Sequence, residues 1–167
     1  MDFQSESEDD LDRLRLKTGN LEDQWKEIEE NWDPLGNIRS VEDDLIPLII
    51  STYAAIEDLT AHLILAFVTR DEFSDGAFDY FYSGMSQSHR EELLVKCGIL
   101  SSQTRGKIGN FKSLRNEVAH GTFMQLDWHR DDVPEKMNLA FEVLNRFEKA
   151  FTDIEFIEEI YKGEDKI

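Results

Sequence analysis

The chain has 167 residues, a length that suits one domain, and its apolar share of 40% with eleven Phe is enough for a core. Three prolines argue against an all-β or linker-rich chain, and the single cysteine, Cys97, excludes an internal disulfide and a thiolate metal cluster. Thirty-six acids against eighteen Lys and Arg leave a formal charge of −18, extreme for this size, in keeping with a high-salt host where a Debye length of ~3 Å at ~1 M screens self-repulsion.

No basic-apolar-small leader opens the sequence, so no signal peptide is expected. A cytoplasmic protein with a reduced, buried Cys97 is expected instead. The longest apolar stretch, Leu45 to Val68, is interrupted by Pro47, Ser51, Glu57, Asp58 and His62. No membrane span is expected there.

In chain order, residues 1–10 are acidic and Ser-rich and read as frayed. Leu11, Leu14, Thr18, Leu21, Trp25, Ile28 and Trp32 then recur at three and four, one face of a helix with a bend at Gly19-Asn20. Asp33-Pro-Leu-Gly-Asn37 reads as a turn, and Ser40 as the N-cap of a second helix over about 41–69. Its stripe is Leu45, Leu48, Ile49, Ile56, Leu59, Leu63, Ala66 and Phe67, widened by Ile50, Ile64 and Leu65. A helix apolar on most sides is central. Residues 70–85 fit either a short helix or an aromatic-rich loop. Ser88-His-Arg-Glu91 has capping-box spacing for a helix through Leu93, Leu94 and Cys97 that stops at Gly98. A helix over about 102–120 follows, weakened by Gly106 and Gly109 and capped by Gly121. A loop with Trp128 and His129 leads to a last helix from Asp132-Val-Pro134. Its stripe is Met137, Ala140, Phe141, Leu144, Phe147, Phe151, Ile154, Ile157 and Tyr161. Strand alternation and internal repeats are lacking. The expected fold is an all-α bundle of four or five helices, with an acidic N-terminal segment over 1–40 and a helical domain over 41–162.

Charge is unevenly spread. Residues 96–121 carry Lys96, Arg105, Lys107, Lys112 and Arg115 against Glu117 alone. This basic segment of an acidic chain provides the local positive field that a phosphate ligand needs. It holds Lys112-Ser-Leu-Arg115-Asn116-Glu-Val-Ala-His120-Gly121. With Phe111 at zero and ~100° per residue, Val118, Leu114 and Ile108 fall within about 60° of Phe111, and Arg115 near 40°. Arg115 therefore points into the apolar face. Asn116 lies near 140° and His120 near 180°. Arg115 and His120 diverge, so a common small ligand requires the helix to loosen before Gly121, a second chain, or a long polyanion.

A purely structural account of these residues stays open: Arg115 as an anchor paired with Glu57 of the central helix, and His120 as a complement to the helix dipole. Metal sites are poorly supported, since His62, His89 and His129 lack ligand spacing and Asp58 with His62 is a lone i,i+4 pair. No metal or cofactor is expected. There is no Ser or Cys in a nucleophile turn, and Gly106 and Gly109 lack the Lys-Ser/Thr of a phosphate loop. Trp25, Trp32 and Trp128 read as core or interface residues.

The run from Leu114 to Gly121 resembles the Arg-x4-6-His motif of the HEPN superfamily, in the form with Asn after Arg and a small residue before His. Ser86 to Gly98 resembles the helix-then-turn that precedes this motif, and Tyr53-Ala-Ala-Ile-Glu57 a stretch of the central helix. The resemblance covers about 45–160. It implies a helical, usually dimeric domain, many of whose relatives are metal-independent endoribonucleases of toxin–antitoxin or defence systems. By position, His120 is then the general acid/base for attack of a ribose 2′-OH on the phosphodiester, imidazole being the side-chain type suited to proton transfer in both directions. Arg115 clamps the phosphate, Asn116 orients His120 or the phosphate, and Glu57 fixes Arg115. RNA, a second copy of the chain, and an antitoxin or other partner protein are the implied partners. The alternative is a catalytically silent HEPN-like module for dimerisation or partner binding.

Overall fold

The structure is a computed structural model that describes residues 3–32, 39–68, 77, 79–120 and 132–164, with the backbone alone over 3–11, 39–42, 68, 82 and 154–164. Among the described residues there are five α-helices and no strands, as the 3.6-residue periodicity requires. They are α1 (Phe3–Glu30), α2 (Arg39–Val68), α3 (Gln87–Lys96), α4 (Ser102–Ala119) and α5 (Asp132–Glu164), with a π-helical turn at Tyr80–Gly84 before α3.

The apolar helix α2 lies at the centre and packs on all four others. Leu45, Leu48, Ile49, Ile56, Leu59, Leu63 and Ile64 are buried along it, as the stripe predicts. The segment Asp43–Phe67 has the length and apolarity to cross a membrane, by composition alone; in this fold it is the core helix. Thr18, Leu21 and Trp25 of α1 are buried against the bundle, and the Trp25 indole donates to Asn138 Oδ1 of α5 at 2.8 Å. Helix α1 thus contributes to the same core as the rest. On α5, Met137, Ala140, Phe141, Leu144, Phe147 and Phe151 are buried as expected.

The short α3 and its exit fix where α4 begins. Ser86 caps α3, accepting from the His89 N–H. At the other end Gly98, at φ 75°, reverses the chain. Gly98 N–H bonds to Val95 O at 3.0 Å and Ile99 N–H to Leu94 O at 3.0 Å, the paired Schellman bonds that close a helix end. Three residues later Ser101 caps α4, accepting from Thr104 N–H at 3.0 Å. Ile108, Phe111, Leu114 and Val118 of α4 then face the core.

Several expectations need correction. The cap of α3 is Ser86, two residues before Ser88, so Glu91 lies mid-helix and buried and not in a capping box. Cys97 is exposed, because it occupies the helix-end position from which the chain turns outward at Gly98. Ala66 is exposed, and Ile50 and Phe67 each keep 43% of their surface exposed, at the margins of the α2 stripe. Ser40 lies inside α2, which begins at Arg39. The helix of α1 already runs from Phe3, where fraying was expected. The Asp33–Asn37 turn, the Gly121 cap, Trp128 and His129 fall outside the described residues, as do the side chains of Ile154, Ile157 and Tyr161.

Candidate functional site

The sequence motif lies where α2, α3 and α4 meet. From α2 comes Tyr53, 3% exposed, its ring 6.5 Å from that of Phe111 on α4. Four residues on, one turn away, is Glu57, half-buried. From α4 come Arg115, Asn116 and His120.

Arg115 lies half-buried on the apolar flank of α4, as the wheel predicts. Its guanidinium carbon stands 5.1 Å over the centroid of the Tyr53 ring, a cation–π contact that suits the planar guanidinium better than an ammonium. One arm, Nη1, donates to Asn116 Oδ1 at 3.2 Å. Arg115 forms no ion pair with Glu57 or any other carboxylate among the described residues. The expected Arg115–Glu57 pair is therefore replaced by an aromatic shelf. The reason is register: Tyr53, one turn earlier on α2, takes the place under the guanidinium.

Burial pushes the Tyr53 phenol up to about 12, helped by the negative charges of Glu57 and Glu91 and opposed by Arg115 and Arg90. The shelf is thus a neutral phenol at physiological pH. Asn116 spends its amide oxygen on Arg115, and so orients the arginine. No contact joins it to the His120 ring among the described residues.

His120 is the C-cap of α4, at φ −89° and ψ 8°, its N–H bonded to Asn116 O at 3.0 Å. It is exposed, and its ring has no polar partner among the described residues. The helix does loosen at this point, one residue before Gly121, but that leaves His120 outward and Arg115 inward. The two are not brought into one pocket by a single chain.

Glu91 is the group that sequence reading missed, although it stands in the stretch compared with the family. It is 6% exposed, its Oε1 has no hydrogen-bond partner among the described residues, and its Oε2 is 3.9 Å from Arg105 Nε. Burial raises its pKa, while Lys112, Gln87, Arg105 and Arg90 pull it back. Next to it Gln87 accepts from Thr60 Oγ1 at 2.9 Å and from Arg90 Nε at 3.0 Å, leaving Nε2 buried without a partner among the described residues. Arg90 Nη1 also donates to Phe81 O at 2.8 Å. This polar layer ties α3 to α2 directly behind the basic side of α4. The signal in sequence was the i,i+4 pair Gln87 and Glu91 on one face of a short helix, obscured by the plausible cap at Ser88.

Other candidates do not assemble. No group of three metal-ligating side chains exists among the described residues. His62 Nδ1 meets the Asp58 carbonyl at 2.8 Å, and His89 Nδ1 meets Ser86 Oγ at 3.1 Å. A cleft of about 320 Å³ between the α3–α4 turn and α5 is lined by Leu63, Leu100, Arg146 and Phe147 among others. It is at the far end of α4 from His120. No protein-family model, no curated protein and no solved structure matches the chain.

Proposed function

We propose that the chain is a metal-independent, RNA-cleaving domain of the HEPN type, acting in a toxin–antitoxin or defence system, with Arg115 as phosphate clamp and His120 as acid/base. The observation that carries this reading is the state of Arg115. In a chain with two acids for every base, it makes no ion pair among the described residues and is held in place by Tyr53 and Asn116. A structural anchor in so acidic a chain has every opportunity to take a carboxylate. An arginine held ready on a neutral shelf keeps its other N–H groups for a phosphate oxygen.

The chemistry follows from the residue types. His120 takes the proton of a ribose 2′-OH, the 2′-oxygen attacks phosphorus, and the bond from phosphorus to the 5′-oxygen breaks. A protonated imidazole supplies the proton to that leaving oxygen. The products are a 2′,3′-cyclic phosphate and a 5′-hydroxyl. Arg115 offsets the charge that builds on the phosphoryl oxygens. Because Arg115 and His120 diverge on α4, the reading includes a homodimer, in which a second copy brings its own Arg115 and His120 to the strand.

The test is incubation of end-labelled RNA with the protein in ~1 M salt and EDTA, where screening weakens long-range repulsion between acidic protein and RNA. Wild type cleaves; His120→Ala is slower by about 10²–10⁴, and Arg115→Ala by about 10²–10³. RNA left intact by wild type, or cut equally by His120→Ala, overturns the reading and leaves the silent, partner-binding module.

A further inference from the structure

We propose that the outer face of α4 is a phosphate-binding track for an RNA strand, in which Arg105 and Lys112 are contacts additional to Arg115. At ~100° per residue, Arg105, Gly109, Lys112, Asn116 and His120 fall between about 100° and 180° from the core-facing Phe111. They form one stripe, and Arg105 to His120 spans about 22 Å at ~1.5 Å per residue. Midway, Gly109 carries no side chain and nothing beyond its own turn of helix lies within 4 Å of where a Cβ would stand, so a strand can approach the helix backbone there.

The two cations of this stripe, Arg105 and Lys112, are loosely held, and Arg115 lies inward of it, near 40°. Arg105, 41% exposed at the side chain, comes no closer than 3.9 Å to Glu91. Lys112 donates to the Ser88 hydroxyl at 3.2 Å, and Arg115 to the Asn116 amide at 3.2 Å. Two neighbouring lysines off the stripe are paired: Lys107, on the other flank of α4, with Glu142, and Lys96 with Glu92 at 2.7 Å. Glu91 is the buried carboxylate behind the stripe, and against it stand Lys112, Arg105 and Arg90. The local balance is positive in a molecule of charge −18. Two cations about 10 Å apart on one helix face fit contacts to phosphates of one strand, and the stripe continues into His120 at the helix end. An acidic peptide is the competing occupant.

This inference rests on the RNA reading for its ligand but not on cleavage, and binding separates the two. The probe is a fluorescent oligouridylate, titrated by anisotropy from ~0.1 to 0.5 M salt, with His120→Ala as the background so that the strand stays whole. Each phosphate contact on a single strand adds about −0.7 to the slope of log affinity against log salt. Arg105→Gln and Lys112→Gln each make the slope shallower by about 0.7 and cost about three- to five-fold in affinity between ~0.1 and 0.2 M salt. Lys26→Gln, an equal charge loss on α1, leaves the slope unchanged. Comparing slopes between variants removes the general repulsion, which all of them share. Unchanged slopes in Arg105→Gln and Lys112→Gln overturn the track, even if the wild type cuts RNA. Shallower slopes with no cleavage by the wild type sustain the track and remove the nuclease. Binding of poly-glutamate as tight as that of RNA also overturns it and makes the face a protein-docking surface.

Discussion

Glu91 shows at the scale of one residue how burial sets a pH dependence. Its carboxyl is raised above the usual carboxylate range by burial, so the folded state holds this proton more tightly than the unfolded chain does. Between the unfolded and the folded pKa the native state binds more protons, and stability falls as pH rises. Glu91 thus withdraws stability at neutral pH and not in acid. Glu91→Gln, which keeps the shape and removes the charge, is expected to stabilise the fold at pH 7 by about 1 kcal/mol of relieved desolvation, read as a higher melting temperature, and to change it little at pH 4. An equal effect at both pH values contradicts the assignment. The same sign holds for Tyr53, pushed up to about 12: its contribution is present below the ordinary tyrosine range and is lost as pH rises through about 12. At this scale the sequence placed Arg115 correctly on the apolar flank, because helical phase alone decides that. It named Glu57 and not Tyr53 as the group beneath it, because that depends on how α2 and α4 slide past each other, a register no local pattern encodes. Glu91 was hidden for a similar reason: its burial is set by α2 and α4, not by α3.

At the scale of elements, α4 is defined by its two ends and its two faces. Its start depends on the Ser101 cap and on the Gly98 reversal before it. Ser101→Ala is expected to cost about 1 kcal/mol through the lost bond to Thr104 N–H. Gly98→Ala is expected to cost about 1–2 kcal/mol, since φ 75° is strained for any residue with a Cβ. Urea unfolding curves check both; a change under a few tenths of a kcal/mol contradicts the assigned geometry. These ends were largely readable. Serine before a polar helix start and glycine after Cys97 are strong punctuation, and α4 was expected over about 102–120 against Ser102–Ala119 observed. The start of α3 slipped by two residues because Ser86 and Ser88 are both chemically able to cap. Only the packing of Gln87 and Glu91 toward α2 decides for Ser86. The margins of α2 were over-read for the opposite reason: hydropathy marked Ile50 and Phe67 as core, but the neighbouring helices do not extend over them.

For the whole molecule, the all-α bundle was legible because long amphipathic periods leave little room for another class. The sharing of one core by α1 and the later helices was not, since the acidic composition of 1–40 suggested a separate segment. The charge of −18 is a property of the entire surface and has a stability consequence. Self-repulsion among uncompensated carboxylates is screened as salt rises. The melting temperature is expected to increase by several degrees between ~0.1 and 2 M potassium chloride; a flat or falling curve shows that repulsion does not limit the fold. Under the proposed function, the same surface requires an RNA strand to be held by the local field of α4 against the field of everything else.

The central claim is that His120 moves the proton of a ribose 2′-OH onto and off a phosphodiester without a metal. The ends of the cleaved RNA report this most directly. Digestion in EDTA is predicted to leave 2′,3′-cyclic phosphate and 5′-hydroxyl termini, and a substrate with a single 2′-deoxyribose at the cut position is predicted to resist. Products carrying 3′-hydroxyl and 5′-phosphate ends, or equal cutting at the deoxyribose, contradict it.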